Sequence, residues 1–163
     1  MNENEATGAV PGGEQIGVAV RVVAQYVKDL SFENPQSPGS LLGGNVAPAI
    51  EAGVDVSAKR LGEIDFECEL KVTVKARRGE VTVFLVELVY AALFQIQNAP
   101  AELLEPILLI ECPRLLFPFA RRVVADVTRD GGFAPLLIDP IDFASLYQRQ
   151  REGRAAQQPV GTA

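Results

Sequence analysis

Six apolar side chains, Ile64, Phe66, Cys68, Leu70, Val72 and Val74, alternate without a break with Asp65, Glu67, Glu69, Lys71, Thr73 and Lys75. A period of two over twelve residues is that of a β-strand with one face buried and the other solvated. Arg77-Arg78-Gly79-Glu80 follows as a turn, with Gly79 free to take positive φ, and a second apolar stretch runs from Val81 to about Phe94. The short connection makes these two strands an antiparallel hairpin.

Around the hairpin the chain reads as strands first and helices afterwards. A strand is expected over Val18 to Phe32, ending at Asn34-Pro35, and a weaker one over Gly53 to Lys59. The long loop between them, to about Glu51, carries Pro35, Pro38, Gly39, Gly43, Gly44 and Pro48, and loops of that length are often functional. Pro100 to Ile110 reads as a short helix interrupted near Pro106. Arg114 to Arg129 reads as a second helix, with Pro118 tolerable only near a first turn and Gly131-Gly132 as the stop. The last helix starts with Asp139 as N-cap, Pro140 at the first position and Asp142 in the first turn. This order predicts an α+β domain, a four-stranded antiparallel sheet followed by C-terminal helices. The domain is expected over 16–151, between polar tails at 1–15 and 152–163 that should be mobile.

Composition narrows the function. A chain of 163 residues that is 48% hydrophobic is long and apolar enough for a core. No apolar run reaches the roughly 18 residues that cross a bilayer. Glu3, Glu5 and Glu14 in a start without basic residues are the opposite of a secretory signal, so a cytoplasmic location without membrane insertion is expected. A net charge of −6 disfavours nucleic acid, whose phosphates need a basic stripe, and suits a basic partner. There is no histidine, no nucleophile elbow and no phosphate loop, since Gly39-Ser-Leu-Leu-Gly-Gly lacks the lysine. Cys68 and Cys112 form no C-x-x-C pair and read as buried free thiols rather than a metal or redox site. No enzymatic activity, cofactor or metal is expected.

Three surfaces stand out. The first strand puts Asp29, Ser31 and Glu33 on one side and Leu30 and Phe32 on the other, and the fourth strand puts Leu85 with Glu87, opposite Phe84, Val86, Leu88 and Tyr90. If these acids share the solvated face, it is flat and acidic and suits a basic or zinc-bearing module; equally, they can merely keep the sheet soluble. Leu41 and Leu42 of the loop with Phe143, Leu146 and Tyr147 of the last helix can line a groove for an extended chain, or the helix residues can anchor that helix to the core. The second helix, with Leu115, Leu116, Phe117, Phe119, Val123 and Val124, has more apolar surface than one sheet face needs, which points to self-association as well as to a core.

Spaced motifs carry a resemblance. Tyr26-Val-Lys-Asp-Leu-Ser-Phe-Glu-Asn-Pro, Phe84-Leu-Val-Glu and Cys112-Pro-Arg-Leu-Leu-Phe-Pro-Phe-Ala-Arg stand in order along the chain, followed by Gly132-Phe-Ala-Pro-Leu and Pro140-Ile-Asp-Phe-Ala-Ser-Leu. Over about Gly17 to Gln150 they resemble the SecB family of protein-export chaperones. The resemblance implies a homotetramer, a dimer of dimers, that binds unfolded precursor proteins in grooves without ATP and keeps them fit for export. It implies that an acidic outer sheet face docks SecA, including its zinc-bearing C-terminal tail. By position that face is Asp29, Ser31, Glu33, Leu85 and Glu87, while Val86, Leu88 and Tyr90 are packing and assembly positions, joined by Leu116 and Phe119 of the apolar helix. The family's first loop often carries aromatics for the peptide groove, whereas Asn34 to Glu63 here has none and the chain has no tryptophan. Two rival expectations remain: a SecB-like chaperone dedicated to one partner such as an antitoxin, and a small-molecule binder using the same groove.

Overall fold

The computed structural model describes residues 17–42 and 46–157. The strands are β1 (Ala19–Glu33), β2 (Ala49–Arg60), β3 (Asp65–Arg78) and β4 (Val81–Gln97), with a single helical turn, α1 (Gly39–Leu42), in the loop after β1. They form one antiparallel sheet in the order β1-β4-β3-β2, so the predicted hairpin is its centre. α2 (Ala101–Pro106), a π-helical turn (Ile107–Glu111), α3 (Cys112–Asp130) and α4 (Phe143–Gln157) follow.

The alternation of β3 is realised: Phe66, Cys68, Leu70, Val72 and Val74 are buried and the residues between them are not. β4 supplies the matching row Phe84, Val86, Leu88, Tyr90, Ala92 and Phe94, and α3 packs on this inner face with Leu116, Ala120 and Val124. Thr128 is fully buried because its hydroxyl donates to the Val124 carbonyl at 2.9 Å and accepts the Leu136 N–H at 3.0 Å. That bond ties the segment after α3 back onto the helix.

Several boundaries differ from expectation. β2 is longer than 53–59 because every residue from Ala49 to Arg60 finds a partner on β3 between Arg77 and Phe66; the ladder, more than the side-chain pattern, sets its length. Pro118 lies well inside α3, beyond the first turn. Its missing N–H deprives the Arg114 carbonyl, but Arg114 and Pro118 both lie on the exposed side of the helix, where the lost bond costs less than it would in the core. The first helix is interrupted by a π-turn rather than a break: the Cys112 N–H reaches the carbonyl of Ile107, just before Pro113, which has no N–H to give. α3 ends as expected, with Gly131 as C-cap and Gly132 at φ +90°; Phe133 N–H bonds Thr128 O and Gly132 N–H bonds Arg129 O, the Schellman arrangement.

The start of α4 requires a correction. Asp142, not Asp139, is its cap: the Asp142 carboxylate accepts the Ser145 N–H at 3.1 Å and the Ser145 hydroxyl at 2.7 Å. Those bonds hold its carboxyl below the usual range. Asp139 and Pro140 belong instead to the irregular segment before the helix, which buries Ile138. α4 also runs past 151, so residues 152–157, expected in a tail, are helical. The expected tail at 1–15 lies outside the described residues, as do 158–163. Among the described residues no helix is long and apolar enough to cross a membrane.

Candidate functional site

The acidic set predicted from alternation assembles on one face. Across the β1–β4 ladder Glu33 stands opposite Leu85, Ser31 opposite Glu87 and Asp29 opposite Val89. Directly opposed residues share a face, so all five predicted residues lie together on the side of the sheet away from α3. Asp29, Glu33 and Glu87 are exposed, Leu85 and Ser31 half-buried. Among the described residues none of these three carboxylates has an ion-pair partner. On β3, Lys75 beside Leu85 and Lys71 beside Val89 border the patch.

At the other end of the same face the carboxylates are engaged internally, a feature absent from the alternation reading. Tyr26 donates its hydroxyl to Glu67 at 2.5 Å, and Lys28 bonds Glu67 at 2.9 Å and also Glu69. Both side chains cross β4 to reach β3. Burial, then the bond to Glu67, pushes the Tyr26 phenol up to about 12, while the bonds from Tyr26 and Lys28 hold the Glu67 carboxyl low.

The predicted peptide-groove residues do not come together. Phe143 is 1% exposed and stands edge-on to Phe117 at 6.1 Å; Tyr147 is buried too, and Leu146 packs partly buried against the same core. These three anchor α4, because the start of the helix at Phe143 turns that end of its apolar side onto the π-turn and α3. Leu42 is 83% exposed, and Leu41 lines a cleft.

Among the described residues, two apolar clefts lie elsewhere. One, of about 430 Å³, lies between the loop after β1 and the segment after α3, lined by Leu41, Pro48, Ile50, Phe84, Phe133 and Leu136. Its aromatics come from β4 and from the segment after α3, with Phe84 and Phe133 at 4.9 Å. Arg78 holds this loop from both ends, donating to Ser40 O at 3.1 Å and Val46 O at 2.9 Å. The second cleft, of about 410 Å³, lies between β2, α2 and α4, lined by Ala58, Phe66, Leu104, Leu108 and Leu109 with Arg60, Glu105 and Arg154 at its mouth. It borders β2, an edge strand.

Of the packing and assembly positions, Val86, Leu88 and Leu116 are fully buried and Tyr90 nearly so. Phe119 is 43% exposed and stacks on Tyr90 at 6.4 Å. Near it on the inner face β1 exposes Val20, Val27 and Leu30, and α3 exposes Leu115. Alternation placed Leu30 on this side, but sequence reasoning missed Val20 and Val27 because two β-bulges break the alternation of β1. Cys68 and Cys112 are both buried free thiols, as expected, and burial pushes each up to about 12.

Residues 13–154 match the family model described as preprotein translocase subunit SecB. A protein-export protein SecB of Maricaulis maris is 59% identical over 140 residues, covering 86% of this chain and 81% of that protein. The protein-export protein SecB of Caulobacter vibrioides is 49% identical over 164 residues, covering both chains fully. Among solved structures, a SecB-like chaperone of Mycobacterium tuberculosis in complex with a ChAD peptide from the HigA1 antitoxin superposes with a TM-score of 0.62 at 15% identity. That match covers 75% of this chain and 90% of the other.

Proposed function

The chain belongs to the SecB family, and from that premise we propose that it is a protein-export chaperone of the cytoplasm that holds unfolded precursors without ATP and passes them to SecA. The observation that carries this reading is the separation, within one small domain, of a sheet-face patch whose Asp29, Glu33 and Glu87 carboxylates have no ion-pair partner among the described residues from two apolar clefts at other sites.

Each part has a physical task. Apolar client side chains entering the clefts contribute about 25 cal/mol per Å² buried, whatever their sequence. An extended client can add to the free edge of β2 through main-chain hydrogen bonds, with alternate side chains directed toward the adjacent cleft. Individually weak contacts sum to firm holding when several clefts act on one chain. Assembly as a homotetramer, a dimer of dimers, supplies that multiplicity and covers the exposed apolar row of Val20, Val27, Leu30, Leu115 and Phe119. Asp29, Ser31, Glu33, Leu85 and Glu87 form the SecA-docking face, where unpaired carboxylates attract a basic module over a distance and Leu85 gives it an apolar foothold. Relatives named for protein export at 49–59% identity support this role over a chaperone dedicated to one partner, since the likeness to the antitoxin-peptide complex is one of fold.

Refolding of a denatured, slow-folding secretory precursor tests the proposal. Stoichiometric protein without nucleotide should arrest refolding, and SecA should reverse the arrest. Glu87→Lys should weaken SecA binding about tenfold or more by placing like charges in contact, with arrest unchanged. Arrest lost in that variant while assembly is intact would refute the division of labour.

A further inference from the structure

β1 spends fifteen residues, Ala19 to Glu33, against thirteen of β4, Leu85 to Gln97. The two surplus residues are bulges, between Val22 and Ala24 and between Val27 and Asp29. The second decides the docking face. Tyr26 opposite Ala91 and Ser31 opposite Glu87 both lie on the outer side, although five residues of an unbroken strand would put them on opposite sides. Lys28 is the residue inserted between them. Because the side-chain period is two, a strand that absorbed Lys28 into the ladder would turn Asp29, Ser31 and Glu33 inward and Leu30 and Phe32 outward.

The bulge is held from two directions. On the inner side Phe32 stacks on Phe84 at 6.0 Å and abuts Gly131. On the outer side Tyr26 and Lys28 reach over β4 to the carboxylates of Glu67 and Glu69 on β3. The small side chain of Ala91 lies in their path and is fully covered. β1 is an edge strand of this sheet, so among the described residues no further strand supports its register.

We propose that Tyr26 and Lys28 are positioning residues, pegged across β4 to Glu67 and Glu69, that lock the β1 bulge and so turn Asp29, Ser31 and Glu33 onto the docking face. This gives Tyr26 and Lys28 of β1 a task beside the docking residues Asp29, Ser31 and Glu33. It rests on the reading that this face binds SecA.

The test uses the full chain and three readouts: SecA affinity, amide hydrogen exchange over Asp29–Glu33, and arrest of precursor refolding. Lys28→Met, which keeps the stem and removes the charge, should weaken SecA binding and speed exchange of those amides, each about tenfold, with refolding arrest unchanged. Lys28→Arg, still able to bridge two carboxylates, should restore both. If Lys28→Met does not fold, Tyr26→Phe, which deletes one oxygen, is judged by the same readouts. Weaker SecA binding at unchanged exchange would make Lys28 a contact and overturn the lock; no change in either would show that the bulge holds itself. Glu87→Lys run in parallel separates the two ideas. If it leaves SecA binding intact, the docking reading fails, while the exchange data still decide the lock.

Discussion

Replacing Phe143 by alanine separates a core anchor from a groove wall. The ring is 1% exposed and meets Phe117 edge-on at 6.1 Å. An aromatic side chain buries at least ~150 Å², which at about 25 cal/mol per Å² is close to 4 kcal/mol, and the cavity left behind puts Phe→Ala at about 3–5 kcal/mol. For a chain of this size that loss lowers Tm by roughly 6–20 °C. The measurement is urea and thermal unfolding at one fixed protein concentration, because assembly makes stability concentration-dependent. Leu42→Ala is the control: at 83% exposure it should change stability by no more than about 0.5 kcal/mol. A Phe143→Ala protein that unfolds like wild type but loses client affinity would refute the placement of this ring in the core and restore it to the groove.

Two further outcomes follow from packing and burial. A Cβ at Gly131 would lie 2.2 Å from the ring of Phe32, and Gly131 has an ordinary helical φ of −73°, so Gly131→Ala should destabilise by about 1–3 kcal/mol through overpacking alone. Phe32→Leu in the same chain should recover part of that loss in a double-mutant cycle, and strict additivity would argue against the contact. The thiols of Cys68 and Cys112, raised from 9 to about 12 by burial, stay protonated in the folded chain while unfolded thiols ionise. Their contribution to stability is therefore complete below about pH 9 and is lost as pH rises from 9 toward 12. Alkylation at pH 8 should occur only under unfolding conditions, and rapid labelling of the native protein would show that the thiols are open to solvent.

Much of this protein is written in local patterns. The unbroken alternation of β3 sets a strand with one buried face, because each side chain's direction depends only on its position in a period of two. Gly79 makes the turn, and Gly131-Gly132 ends α3 through bonds that span a few residues. The grouping of Asp29, Ser31 and Glu33 with one another, and of Leu85 with Glu87, is likewise local.

Whether those two groups meet is not local. It depends on the β1–β4 register, and that register depends on a bulge held by Glu67 and Glu69, some forty residues away. The length of β2 came from its ladder with β3, the site of Pro118 from which side of α3 faces water, and the cleft beside the loop after β1 from Phe84 and Phe133 meeting across 49 positions of sequence. An apolar helix stripe reads the same whether it faces a core or a groove, so only the packing of α4 against Phe117 could place Phe143 inside. Alternation and turn chemistry are properties of neighbours along the chain; burial and register are properties of neighbours in space.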